Sequence, residues 1–120
     1  IIVLHDCNPP HESLAREDFG TLGVAGPCWN GTTWKAVYRY FHEGSYETFV
    51  VDADWGVGII DKSKRKQPKP NPNPFYEFDQ FLRTKGQSGL LRSWDFVQSW
   101  LREEAVGHTA VRISRRFKGR

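Results

Sequence analysis

The sequence predicts an α/β fold, and three observations carry that prediction. The chain opens with Ile1-Ile2-Val3-Leu4, four branched apolar side chains without alternation, and His5 and Asp6 follow at once. A strand that is apolar on both faces normally lies buried between two layers. Residues 32–43 set Trp34, Val37, Tyr38 and Phe41 at i, i+3, i+4 and i+7, one face of a helix. Residues 46–52 and 57–61 have the β-branched and aromatic bias of strands. Their short joint, Ala53-Asp54-Trp55-Gly56, predicts an antiparallel hairpin.

The elements follow in order. Residues 1–5 form the first strand, and Asn8-Pro9-Pro10 ends it, because proline supplies no N–H and restricts the residue before it. His11 to Phe19 suits a short helix with Leu14, Ala15 and Phe19 inward, and Gly20, Gly23, Gly26 and Pro27 read as loop. The helix over 32–43 can be capped by Thr32 or Thr33, and Gly44 stands just past its end. Residues 62–74, KSKRKQPKPNPNP, read as a basic Pro/Asn linker of extended geometry. Asn73-Pro74 then starts a short helix over 74–84, with Phe75, Phe78 and Leu82 on one face. Gly86 to Gly89 is a turn. Ser93 caps a last helix with Trp94, Val97, Trp100 and Leu101 inward and Asp95 in its first turn. After Gly107 the pattern fades, and a poorly ordered basic tail is expected. The domain division is therefore 1–61 for the α/β body, 62–74 for the linker, 75–104 for a helical extension packed on the body, and 105–120 for the tail.

The chain is long enough to bury a small core. Its 120 residues, 38% apolar and 14% aromatic, fit a globular chain. Ile1 to Leu4 is too short for a signal peptide, and no apolar run approaches a membrane span, so no membrane partner and a cytoplasmic location are expected. The sequence contains no Met, which suggests a fragment. The net charge of +3 conceals an asymmetry. Residues 62–70 and 111–120 carry five cations each and no acid, leaving a body of about −7.

Several constellations could carry chemistry. His5 and Asp6 fall at the carboxyl end of a strand, where open α/β sheets place ligands. His5 titrates near neutrality and can act as a base, and Asp6 can accept a proton or bind a divalent cation such as Mg through oxygen. His5, Asp6, Cys7 and His11, with Cys28, could form a metal cluster, but the spacing matches no structural zinc pattern. Cys7 could be a nucleophile beside His5 or His42, without a third group to orient the pair. Asp52, Asp54 and Trp55 at the hairpin read as turn chemistry. Cys7 and Cys28 could form one disulfide, though two thiols in such a pattern are more often free. The two basic segments, with Phe75 and Tyr76 nearby, could contact nucleic acid through phosphate.

Three blocks in order, I-V-L-H-D-C-N-P-P (Ile2 to Pro10), W-N-G-x-x-W-K-A-V (Trp29 to Val37) and V-D-A-D-W-G-V-G-I-I (Val51 to Ile60), resemble the C-terminal half of a class I S-adenosylmethionine-dependent methyltransferase of the small-molecule, Rossmann-like type. The resemblance covers residues 1–61. It implies a sheet order of first, third and second strand with the third antiparallel, and methyl transfer from S-adenosyl-L-methionine to an oxygen of a small acceptor. Catalysis would fall to His5 and Asp6, with Asp6 as the metal-binding candidate. Asn8, Trp29 and Asn30 would line the acceptor. Similar enzymes usually have Asp where this chain has Thr32. The cofactor's glycine-rich turn would belong to a missing N-terminal half, or a second copy would complete the site, so this chain alone is expected to be inactive. The alternative is a non-catalytic α/β interaction or nucleic-acid-binding module using residues 62–70 and 112–120.

Overall fold

The computed structural model describes residues 1–18 and 29–117, with side chains described through Gly107. Among the described residues, four strands form a mixed sheet: β1 (Ile2–Leu4), β2 (Tyr46–Val51), β3 (Val57–Arg65) and β4 (Leu91–Arg92), in the order β1-β3-β2-β4. Three α-helices accompany them among the same residues: α1 (Thr33–Glu43), α2 (Phe78–Lys85) and α3 (Trp94–Phe117). β3 is antiparallel to both β1 and β2, while β4 runs parallel to β2. The expected local order, first, third, second with the third antiparallel, is the one observed.

Alternation along β2 sorts the core into two layers. Val50 faces a cluster built from Trp34, Val37, Tyr38, Phe78, Phe81, Leu90 and Cys7, so α1 and α2 cover that face. Phe49 and Val51 face the other way, onto Ile59, Val97 and Trp100, so α3 covers the opposite face. Trp34 and Phe81 lie 4.5 Å apart by ring centroid, with Phe78 set edge-on to Trp34 at 5.7 Å. Aromatic pairs of this geometry add about 0.5–1.5 kcal/mol beyond their buried area.

Several expectations need correction. β1 is not buried between layers. Among the described residues it is an edge strand paired with β3 alone, and Ile1, Ile2 and Val3 are 65%, 42% and 61% exposed. Over the described residues 11–18 the chain makes a 3₁₀ turn, Glu12–Leu14, rather than the expected helix. The Leu14 carbonyl accepts the N–H groups of Asn30 and Gly31, which removes it from helical propagation. Ala15 is buried as expected, and Phe19 lies outside the described residues.

The residues read as a linker are partly strand. β3 continues through Lys62 to Arg65, and Lys64 is tied to Glu47 and Glu104. The next segment is pinned by side chains. Asn73 accepts the Glu77 N–H at 2.9 Å and donates to the Glu77 carbonyl at 2.8 Å. That closed loop, with Tyr76 at φ 53, delays α2 until Phe78. Phe75 is consequently 86% exposed, and Phe78 and Phe81 become the inward pair instead of Phe75 and Leu82.

In α3, Val97 and Trp100 are buried as expected, but Trp94 and Leu101 are exposed. The Ser93 hydroxyl accepts the Phe96 N–H at 3.3 Å, which fulfils the expected cap. The helix runs through Gly107 to Phe117, where a poorly ordered tail was expected. One glycine costs a helix only about 1 kcal/mol.

Candidate functional site

β1 ends at Leu4, and the next residues turn toward the β2–β3 hairpin. Asp6 takes φ 61, after which Cys7 N–H donates to the Gly56 carbonyl (2.9 Å) and Asn8 N–H to the Trp55 carbonyl (2.8 Å). Gly56, at φ 87, allows this approach, since a Cβ there would collide with the Asn8 backbone. In the hairpin turn itself, Asp54 and Trp55 have φ 49 and 62, and Gly56 N–H closes onto the Ala53 carbonyl. Two successive positive-φ residues match the twist of the flanking strands. Left-handed backbone is tolerated by Asp but is an outlier for Trp. Three such residues in one place, each costing about 1–3 kcal/mol, are the kind of strain that clusters at functional sites.

This geometry brings His5 between two carboxylates. His5 Nε2 lies 3.1 Å from Asp54 Oδ2, and Nδ1 lies 3.2 Å from Asp6 Oδ1. The bond to Asp54 and then that to Asp6 raise the imidazole above its ordinary value. A protonated ring donates to both carboxylates, whereas a neutral ring donates to one and leaves the other nitrogen as an acceptor. The His5 side chain is 54% exposed and that of Asp54 75%, so the Asp54 arm faces solvent.

Asp6 is held from the opposite side. Asn30, just before α1, donates Nδ2 to Asp6 Oδ1 at 2.8 Å. Asn30 is 5% exposed, and its Oδ1 is buried without a partner. A second chain of contacts lies alongside. Asn8 Nδ2 donates to Asp52 Oδ1 at 3.0 Å, and Lys85 Nζ, at the end of α2, donates to Asn8 Oδ1 at 2.7 Å. Burial lowers the Lys85 ammonium below its ordinary value, partly opposed by Asp52.

The predicted site residues thus divide. His5, Asp6 and Asn30 are directly connected, and Asn8 joins through the hairpin backbone. Asn30 is buried behind Asp6 rather than on a rim. Trp29 turns away, with its indole N–H on the Arg16 carbonyl at 2.9 Å. Asp54, read from the sequence as turn chemistry, is a participant through its bond to His5. Lys85 was missed, and no sequence signal pointed to it.

Other candidate chemistries do not assemble. Cys7 is 1% exposed, its thiol directed at the Leu4 and His5 carbonyls, and burial pushes it up to about 11, so it is neither nucleophile nor ready ligand. Cys28 lies outside the described residues, and with it the possible disulfide. His42 is packed between Tyr38 and Phe41, away from Cys7. Among the described residues no three His, Cys, Asp or Glu side chains converge as metal ligands. Asp6 and Asp54 sit on opposite ring nitrogens of His5. The space at Gly58 is filled by Cys7 Sγ and Val37, at 2.8 and 3.1 Å from where a Cβ would stand.

The basic segment is partly committed to the fold. Lys64 Nζ reaches Glu104 at 2.8 Å, and Lys66 Nζ caps the carbonyls of Phe41 and His42 at the end of α1. Two open grooves, about 530 Å³ beside Arg39, Tyr40 and Tyr46 and about 370 Å³ beside Glu12, Lys35 and Tyr76, lie apart from His5. No described helix is long and apolar enough to cross a membrane. No family model, curated protein or solved structure matches this chain.

Proposed function

We propose that this chain is the acceptor-side part of an S-adenosylmethionine-dependent methyltransferase domain, and that it orients and deprotonates a small hydroxyl acceptor. The observation that carries the proposal is His5, held at the carboxyl edge of β1 by Asp6 on one nitrogen and Asp54 on the other. Asp6, itself fixed by Asn30, holds the Nδ1 side and sets the ring's orientation. Asp54 is the exposed arm, and an acceptor hydroxyl that displaces it meets Nε2 directly. His5 then takes the hydroxyl proton, and the resulting imidazolium is stabilised by Asp6. A base oriented by a carboxylate in this way contributes typically 10²–10⁴-fold. The strand order, with β3 antiparallel between β1 and β2, supports the same reading. The methyl donor would be bound by residues outside this set, so every step assigned here is positioning and proton transfer.

The test is transfer of a labelled methyl group from S-adenosylmethionine to small hydroxyl compounds. It is run with the chain alone and with the cofactor-binding half of a Rossmann-like methyltransferase added. Transfer is expected only in the supplemented reaction, falling about 100-fold in His5→Gln. No transfer in either reaction, or full transfer by His5→Gln, overturns the proposal.

A further inference from the structure

The larger groove, about 530 Å³, takes no part in the proposed reaction. The last turns of α1 and the start of β2 form it, and two tyrosines line it. Tyr40 is 42% exposed and Tyr46 is half-buried. Gly44 makes room for the Tyr40 ring, since a Cβ there would stand 2.6 Å from the ring and 2.4 Å from the Tyr40 carbonyl. Cations border the same groove. Arg65 pairs with Tyr46 across the sheet, and its guanidinium lies 5.4 Å from the Tyr46 ring centroid. Beyond Arg65 the basic segment is held along the groove's rim. Lys66 N–H donates to the Ser45 carbonyl at 3.0 Å, and Lys69 N–H donates to the His42 carbonyl at 2.8 Å. Arg65 and Lys69 are both exposed. The acid in the lining, Glu43, is neutralised by Arg39, whose Nε donates to Glu43 Oε2 at 2.8 Å. The smaller groove has the opposite character, with Glu12, Glu17, Asp18 and Glu77 against Arg16 and Lys35.

We propose that this groove binds a single-stranded nucleic acid, with bases stacked on Tyr40 and Tyr46 and phosphates on Arg65 and Lys69. Aromatic faces beside cations that follow an extended segment are what holds an unpaired strand. Stacking accepts every base, and phosphate contacts carry no sequence information, so the site selects an unpaired strand without reading its sequence. Two phosphate contacts give a shallow dependence on salt. The groove lies apart from His5, so this binding stands whether or not the chain takes part in methyl transfer.

The experiment is a fluorescence-anisotropy titration of a labelled oligothymidylate of about ten nucleotides with the full chain. Saturable binding is expected, weakening about sevenfold between roughly 50 and 200 mM salt for two phosphate contacts. Tyr40→Leu and Tyr46→Leu should each weaken binding about tenfold, while Tyr40→Phe and Tyr46→Phe, which keep the ring, should bind as the parent does. Circular dichroism checks that each variant folds, and the exposed Tyr40 pair decides the matter if the half-buried Tyr46 does not tolerate Leu. Arg65→Gln and Lys69→Gln should each weaken binding and flatten its salt dependence. Trp94→Ala, at a residue 56% exposed on α3, should change nothing. No binding, a folded Tyr40→Leu that binds as the parent does, or equal competition by poly-glutamate of the same charge overturns the proposal.

Discussion

His5 and His42 carry one kind of side chain into opposite surroundings. His5 stands on the exposed edge of the sheet, between the carboxylates of Asp54 and Asp6, whose bonds raise it above its ordinary value. His42 is 9% exposed at the end of α1, its ring packed edge-on against Tyr38 and Phe41 at 4.7 and 4.9 Å. Burial lowers it first, then Lys66, with Lys69 adding and Glu43 opposing. The difference separates two uses of the fold. Around His42, side chains fill space and tie the segment after β3 to the helix. Around His5, backbone strain and charge hold a titratable ring in the open. The first region should carry stability and the second reactivity.

The largest expected effect lies on the His42 side. Phe81 is 0% exposed against Trp34, Tyr38 and Phe78, so Phe81→Ala should cost about 3–5 kcal/mol in denaturant unfolding. A loss below about 1 kcal/mol would mean the aromatic layer is not the stabilising region. Lys66 comes next. Its ammonium caps two carbonyls at the end of α1, and Lys66→Met should cost about 1 kcal/mol while raising the His42 titration point. An unmoved His42 would break the electrostatic half of the comparison.

The two rings should also respond to pH with opposite sign. The folded value of His42 is lowered, so its contribution is present above 6.5 and is lost as pH falls through the folded value. The folded value of His5 is raised, so its contribution is present below 6.5 and is lost as pH rises through the folded value. Thermal unfolding of His42→Phe should therefore lose the sensitivity below pH 6.5 that the parent chain shows. The smallest effect is expected at β1, where Val3→Thr, on a residue 61% exposed, should change stability by no more than about 0.5 kcal/mol.

What the sequence disclosed follows the range of its interactions. α1 was legible because Trp34, Val37 and Tyr38 repeat at helical spacing, and the hairpin because Phe49 to Val51 and Val57 to Ile60 flank a short turn. Leu91–Arg92 was missed as a strand because two residues have no period. Phe75 was misread because its local spacing suited a helix, while the Asn73 side chain closed a competing loop onto Glu77. β1 looked buried because its composition is, yet its place in the sheet depends on what pairs with it. At the site, His5 and Asp6 were legible from their place after an apolar strand. Their union with Asp54 spans 49 residues and depends on positive-φ turns that composition does not signal.

The most direct measurement is the titration of the His5 ring by NMR in the parent chain, Asp6→Asn and Asp54→Asn. A midpoint above 6.5 in the parent, moving back toward 6.5 in each variant, is expected if both carboxylates hold the imidazole. A His5 that titrates at 6.5 in all three would contradict the carboxylate-held base on which the proposed function depends.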